Sequence, residues 1–471
     1  MRTARRHRLF TLSGALLFLA CGALQQGAAE DERLEVSGRV LLLAIDGADW
    51  DVINRIVAEG KAPNFAALMR QGTYGVLHSL SPSWSPVIWT SIATGVMPPV
   101  HGINNFVYTE GGQRHLYTSG MIKIPTLWEI LSDQGISVGV TNYWFTYPAL
   151  PVQGYMISDH AIPSRSDRLV KTFAKGQDPP PREHLVHPPE LWDEIQGLLD
   201  PPRLRWGGAG YDKLSIEARF LSMYSVLMED GLVTDLALAA DRIHHPRVTA
   251  VYWKGVDRAS HAYWRYLEPD HEFYADDPPS EREIGLYEDW IPWVYRHTDA
   301  LLGEMRQILT PNDIIVITSD HGFEARIPKR GGKVTGGHHQ GESKNGIYLM
   351  AGAGIAPRGA QGPDIHVTDI APTILYLVDS PVPAHMTGKV ALELLDPRLL
   401  AQRQVRQSPA LSRDDRLLSA GAESKVVPLE AERIERLEAL GYFESDLPTA
   451  SETDAPGAGE DTTGNEPSST P

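Results

Sequence analysis

Four short apolar runs constrain this chain more than anything else in it: Val40–Ile45, Val248–Tyr252, Ile314–Thr318 and Gly346–Ala351. None alternates between apolar and polar residues, so each is expected to be covered on both faces, the pattern of strands buried inside a parallel sheet. Helical periodicity fills the intervals, over Thr126–Gln134, Leu214–Leu238 and Ile291–Leu309. Strands alternating with helices predict an α/β fold, a doubly wound, mostly parallel sheet with helices on both faces. With 471 residues, 42% of them hydrophobic, the chain can bury one large core and still carry insertions. The core domain is expected over residues 36–443. Two irregular stretches, about 162–206 and 267–282, read as insertions able to cap a site. No internal repeat is visible.

The formal charge of −17 argues against a nucleic-acid-binding surface. A single cysteine, Cys21, excludes intrachain disulfides and a C-x-x-C redox pair. The first residues read as an export signal, residues 1–29. Arg2, Arg5, Arg6 and Arg8 precede the apolar run Leu9–Leu24, which is short for a membrane span. Two cleavage routes are open, beside an uncleaved anchor. Phe18-Leu19-Ala20-Cys21 resembles a bacterial lipobox, which would attach the chain to a membrane through a lipidated Cys21. Ordinary cleavage near Gly27-Ala28-Ala29 would release it. Either route places the protein in the periplasm or envelope of a bacterium. Residues 444–471 are acidic and nearly free of apolar side chains, the composition of a disordered tail. The run Leu429 to Leu440 ahead of it reads as one amphipathic helix.

Polar residues follow the strands in a consistent way. Asp46 comes directly after Val40–Ile45, and Asp320-His321 follow Ile314–Thr318 after Ser319. Asp257 trails Val248–Tyr252, with His261 one helical turn further on. Ligands in open α/β sheets bind beyond the carboxyl ends of the strands, so three strands would deliver carboxylates and imidazoles to one edge. That donor mixture suits zinc or a similar divalent cation. Each residue also has a plain alternative, since an Asp after a strand is commonly a turn or cap residue and an Asp-x-x-x-His pair is commonly an exposed helix pair.

A second constellation runs from Ser85-Pro86 to Thr94-Gly95 and on to His101-Gly102-Ile103-Asn104-Asn105. A serine opening a helix presents its hydroxyl beside free backbone N–H groups, a natural anion site. It is equally good capping chemistry, with Ser85 as cap and Pro86 in the first turn.

Taken together these segments resemble the alkaline phosphatase superfamily, specifically its type I phosphodiesterase/nucleotide pyrophosphatase branch, from Val40 to about Leu395. The resemblance rests on Ala44-Ile45-Asp46-Gly47, on the Ser85 helix through His101-Gly102-Ile103, on Asp257-x-x-x-His261, and on Ser319-Asp320-His321-Gly322 with Gly337-His338. It implies an alkaline phosphatase-like fold and two divalent ions, zinc by analogy. Asp46, Asp320 and His321 would hold one ion, which Ser85 also contacts. Asp257, His261 and His338 would hold the other, with His339 competing for the place of His338. Ser85 falls at the nucleophile position and Asn105, or its neighbour Asn104, near the phosphate-binding asparagine. His101 reads as a turn residue.

The implied reaction is hydrolysis of a phosphate ester through a phosphoseryl intermediate. A serine hydroxyl needs a base or metal to become nucleophilic, and two ions can bind the attacking and leaving oxygens of an in-line displacement. A phosphomonoesterase or phosphotransferase of the same superfamily would use nearly the same ligands but favour extra cationic donors, for which Lys123 and Lys254 stand out. A diester needs a wall for its second substituent, for which Tyr143, Trp144, Tyr263 and Trp264 are available. A sulfatase is a poor fit, because Val87 and Trp89 stand where Pro and Arg are required. A non-catalytic metal-binding envelope protein is the reading from another class.

Overall fold

The computed structural model describes residues 38–162, 180–199, 220–327, 334–338, 345–413 and residue 434. The export signal with Cys21, His339 and the acidic tail lie outside the described residues.

The expected α/β architecture is present. Among the described residues ten strands form one sheet, ordered Ala360–Gln361, Thr73–His78, Gly346–Gly352, Ile314–Thr318, Val40–Ile45, Val248–Trp253, Val138–Thr141, Gly154–Ile157 and Val186–His187, with Ile365–His366 also paired to Thr73–His78. Val40–Ile45 lies at the centre, parallel to Val248–Trp253 on one side and Ile314–Thr318 on the other. Its residues alternate between two cores. Val40, Leu42 and Ala44 join the core that holds the Ser85–Thr94 and Ile370–Leu377 helices. Leu41, Leu43 and Ile45 join the core beneath the Trp50–Ala58, Phe220–His244, Gly255–Leu267 and Trp290–Met305 helices. Burial on both sides explains why the run carries no polar residue.

One strand departs from expectation. Gly346–Gly352 is antiparallel to both of its neighbours, Ile314–Thr318 and Thr73–His78. A parallel return requires a crossover, usually a helix, and the described residues between Thr318 and Gly346 form only the small Glu324–Ala325 and Gly336–Gly337 strand pair. Burial on both faces hides strand direction from the composition. The Leu127–Asp133 helix matches its periodicity and begins at a capping box between Thr126 and Glu129.

The proposed insertions are integrated with the domain where described. Val186–His187 adds an antiparallel edge strand, followed by the short helix Leu191–Ile195. Between 267 and 282, Tyr274 is buried and its hydroxyl donates to the Thr335 carbonyl at 2.7 Å, which ties this stretch to the Gly336–Gly337 strand. Of the run Leu429 to Leu440 only Ile434 is described, and it packs against Phe106 and Leu116. No helix among the described residues is long and apolar enough to cross a membrane.

Candidate active site

The central strands end at one edge, and the polar residues that follow them converge there. Asp46 continues Val40–Ile45, with its N–H bonded to the Trp253 carbonyl at 2.9 Å. Gly47 then turns with φ 70°, and a Cβ there would lie 2.6 Å from the Phe323 ring and 3.0 Å from Asp257 Cα. Only glycine permits that approach. Asp320 Oδ1 accepts from the Gly47 N–H at 3.3 Å, and Ser319 Oγ accepts from Ala48 N–H while donating to the His321 carbonyl, both at 2.8 Å. These bonds stitch the ends of two parallel strands together.

Asp257 and His261 sit on the Gly255–Leu267 helix with Asp257 Oδ1 3.3 Å from His261 Nε2. His321 Nε2 lies 3.4 Å from Asp46 Oδ1, 3.3 Å from Asp320 Oδ2 and 3.9 Å from Asp257 Oδ1. His338 stacks on His321, ring centroids 3.5 Å apart. Ligating atoms of Asp257, His261 and His338 fall within 4.8 Å of one another, and so do those of Asp46, Asp257 and His321. Asp257 therefore belongs to both groups, where the resemblance assigned it to one.

Hydrogen bonding fixes which ring nitrogen each histidine offers. His261 Nδ1 faces the Gly336 carbonyl and His321 Nδ1 the Gly322 carbonyl, each at 3.1 Å. A carbonyl only accepts, so Nδ1 carries the proton and Nε2 the lone pair. Ser83 Oγ donates to the His338 carbonyl at 2.6 Å and so receives the proton of His338 Nδ1 at 3.0 Å. All three imidazoles thus direct a lone pair from Nε2. At His261 and His321 that lone pair confronts carboxylate oxygens, an arrangement that repels unless a cation lies between them. Tethering Nδ1 while Nε2 is left for an ion is the usual support of a metal-binding histidine. The donor set fits a divalent metal. Without one, burial and the neighbouring Asp320 and Asp257 hold Asp46 well above the carboxylate range, burial raises Asp320, and burial lowers His321.

Ser85 opens the Ser85–Thr94 helix, all ten residues of which are buried. The cap position belongs to Trp84, which makes no side-chain capping bond, so Ser85 is not the cap. Its hydroxyl points into the cluster instead, 3.2 Å from His321 Nε2 and 3.4 Å from Asp46 Oδ1. Asn105 is half-buried and its side-chain oxygen accepts from the Phe106 N–H at 2.7 Å, while the exposed Asn104 accepts from the Tyr117 hydroxyl at 2.8 Å. Neither bond reaches Ser85. His101 is buried, bonded to Ser91 Oγ at 2.9 Å and accepting from the Ile103 N–H at 3.1 Å, in keeping with a turn residue.

Other residues of interest are committed elsewhere. Lys254 pairs with Glu229, and Lys123 is exposed along Gly102. Tyr143 donates to the Trp89 carbonyl, Tyr263 stacks on Trp290 and Trp264 on Phe323, all three buried. Trp144, by contrast, is half-buried. Three contributors escaped the sequence reading: Tyr252, whose hydroxyl donates to Asp46 Oδ2; Ser83; and Phe323, which packs edge-on to His261, His321 and His338 at 4.9–5.5 Å. Tyr252 lies inside an apolar run, so nothing marked it out. A cleft of about 650 Å³ opens beyond Phe323, lined also by Asp49, Trp50 and Trp264, but by none of the acids and histidines of the cluster.

A family model described as type I phosphodiesterase/nucleotide pyrophosphatase matches residues 40–336. Over 81 residues the chain is 35% identical to a 2,3-bisphosphoglycerate-independent phosphoglycerate mutase of Agrobacterium fabrum, a match spanning 17% of this chain and 15% of that protein. Among solved structures, it aligns with a 2-O GAG sulfatase at 14% identity, over 79% of this chain and 76% of the other, with a TM-score of 0.48. Murine ectonucleotide pyrophosphatase/phosphodiesterase 5 aligns at 12% identity, over 76% of this chain and all of the other, with a TM-score of 0.44.

Proposed function

Because the chain belongs to the type I phosphodiesterase/nucleotide pyrophosphatase family, we propose that it is a metal-dependent phosphoric ester hydrolase, a phosphodiesterase in which Ser85 is the nucleophile. The observation that carries this reading is the buried Ser85 hydroxyl held against His321 Nε2 and Asp46 Oδ1, inside a cluster whose imidazoles all direct lone pairs from Nε2. Asp46, Asp320 and His321 would hold one zinc ion and Asp257, His261 and His338 a second, with Asp257 close enough to the first group to serve both. Bound ions would supply positive charge for the phosphoryl oxygens and acidify a coordinated hydroxyl or water.

The chain's own residues define the rest. Oγ of Ser85 forms a bond to phosphorus as the bond to the leaving oxygen breaks, and, with His321 Nε2 and Asp46 Oδ1 turned to the ion, the acidified hydroxyl would give its proton to water. The result is a phosphoseryl intermediate and a released alcohol or phosphate. Water then adds to phosphorus from the opposite side, the Oγ–P bond breaks, and the serine regains its proton. Two inversions give net retention. Asn105 would donate its amide to a non-bridging oxygen.

The pairing of Lys254 with Glu229 supports a diester over a monoester, since a monoester carries an extra charge that additional cationic donors would meet. The test is hydrolysis of p-nitrophenyl monoester and diester by purified protein, with and without chelator. Chelator-sensitive turnover that favours the diester is expected. Preference for the monoester would select the phosphatase or phosphotransferase reading, and absence of turnover on both would select a non-catalytic metal-binding protein. Export and attachment through Cys21 are part of the proposal on sequence grounds.

A further inference from the structure

We propose that Tyr252 and Trp144 act as positioning residues that divide the work of the two oxygens of Asp46. Tyr252 lies on Val248–Trp253, adjacent in register to Ala44, and so projects on the same sheet face as Asp46 two residues beyond. Its hydroxyl bonds to Asp46 Oδ2, while Asp46 Oδ1 is the oxygen that faces Ser85 Oγ and His321 Nε2.

The direction of the Tyr252 bond is set from behind. Trp144 Nε1 lies 2.7 Å from the Tyr252 hydroxyl. An indole N–H can only donate, so the Tyr252 oxygen accepts there and spends its single proton on Asp46. The ring has little freedom to do otherwise. It is 2% exposed and packs edge-on to Trp89 at 5.4 Å and to Trp144 at 6.1 Å. The loop that carries Trp144 grips the same residue a second time, since Asn142 Nδ2 donates to the Tyr252 carbonyl at 3.1 Å. Asn142 and Phe145 both hold positive φ, 62° and 55°, so this loop adopts an uncommon backbone on either side of Trp144.

A carboxylate with one oxygen fixed by a hydroxyl presents the other in a single orientation. Partners of this kind raise metal affinity by holding the ligand in its binding geometry. The chain Trp144 to Tyr252 to Asp46 would thus hold Oδ1 toward the ion that Ser85 contacts and leave the Asp257, His261 and His338 ion untouched. This inference rests on the metal-dependent reading above.

The experiment is Zn²⁺ titration of metal-free protein against a chromogenic chelator, comparing wild type, Tyr252→Phe, Trp144→Phe and the double variant. Wild type is expected to bind two ions. Tyr252→Phe should weaken one of them by about 10–100-fold and leave the other unchanged. Trp144→Phe keeps an aromatic ring but loses the donor, and should weaken the same ion by less. The double variant should match Tyr252→Phe alone, because Trp144 acts only through Tyr252. Wild-type affinity in both single variants, additive losses, or weakening of both ions together would overturn the positioning role while leaving the metal reading intact. Failure of the wild type to bind Zn²⁺ would overturn both.

Discussion

At the scale of single residues, His101 and the cluster histidines show how hydrogen-bond partners assign opposite tautomers to buried imidazoles. His101 accepts at Nδ1 from the Ile103 N–H, so its proton sits on Nε2 toward Ser91, and burial holds its pKa down to about 3. In the unfolded chain an ordinary histidine titrates near 6.5. A depressed pKa contributes stability that is complete above the unfolded value and is lost as pH falls toward the folded one. The protein is therefore expected to lose up to about 1.4 kcal/mol per pH unit from this residue as pH drops from about 6.5 toward 3. Urea unfolding at pH 7 and pH 5 should show a smaller drop in His101→Gln than in wild type, and equal drops would contradict the assignment. The acids and histidines were legible in the sequence because they recur after several buried strands, although any one of them alone could be a turn or cap residue. Tyr252, Ser83 and Phe323 were not, because an aromatic residue or a small hydroxyl beside an apolar run has the same composition whether it fills the core or supports a ligand.

At the scale of elements, the Gly255–Leu267 helix carries Asp257 and His261, and it is held at its first turn from outside. Lys254 stands at its cap position without a capping bond. Asp230, from the Phe220–His244 helix, accepts instead from the Lys254 and Gly255 N–H groups at 3.1 and 2.9 Å. Next to it Glu229 pairs with Lys254 and, at 2.7 Å, with Arg258. Removing the acid from such a pair strands buried positive charge, which typically costs about 3–5 kcal/mol. Glu229→Gln should lower the midpoint of thermal unfolding and loosen the ion proposed at His261, whereas a variant with unchanged midpoint would show that the pairing is dispensable. The strand and helix runs were readable from periodicity. The antiparallel turn of Gly346–Gly352 was not, because direction depends on how the chain between Thr318 and Gly346 returns. The Asp230 cap was equally hidden, since its acceptor and donors are 24 and 25 residues apart.

For the molecule as a whole, a central strand flanked by two parallel neighbours places Asp46, Asp257 and the Asp320-His321 pair at one edge, and a helix buried along its full length brings Ser85 to them. Gly336 brings His338 in from the side, passing so close to the Gly255–Leu267 helix that a Cβ there would lie 2.3 Å from the Ser260 carbonyl. Convergence from four separated segments made the site legible in the sequence, since each segment alone has an ordinary structural explanation and their shared position at strand ends does not. The proposed destination belongs to this scale too. Fractionation of cells producing the full chain should find it outside the cytoplasm, with Cys21→Ser shifting it from membranes to the soluble fraction. A cytoplasmic wild type would remove the export reading.

The most direct test of the central claim is a paired measurement on Ser85→Ala, comparing bound metal by elemental analysis with diester turnover. Two ions per folded chain are expected, as in wild type, with a loss of turnover of roughly a thousand-fold or more, since the proposed attacking hydroxyl is gone while the proposed carboxylate and imidazole ligands stay in place. Wild-type turnover in that variant would contradict that claim.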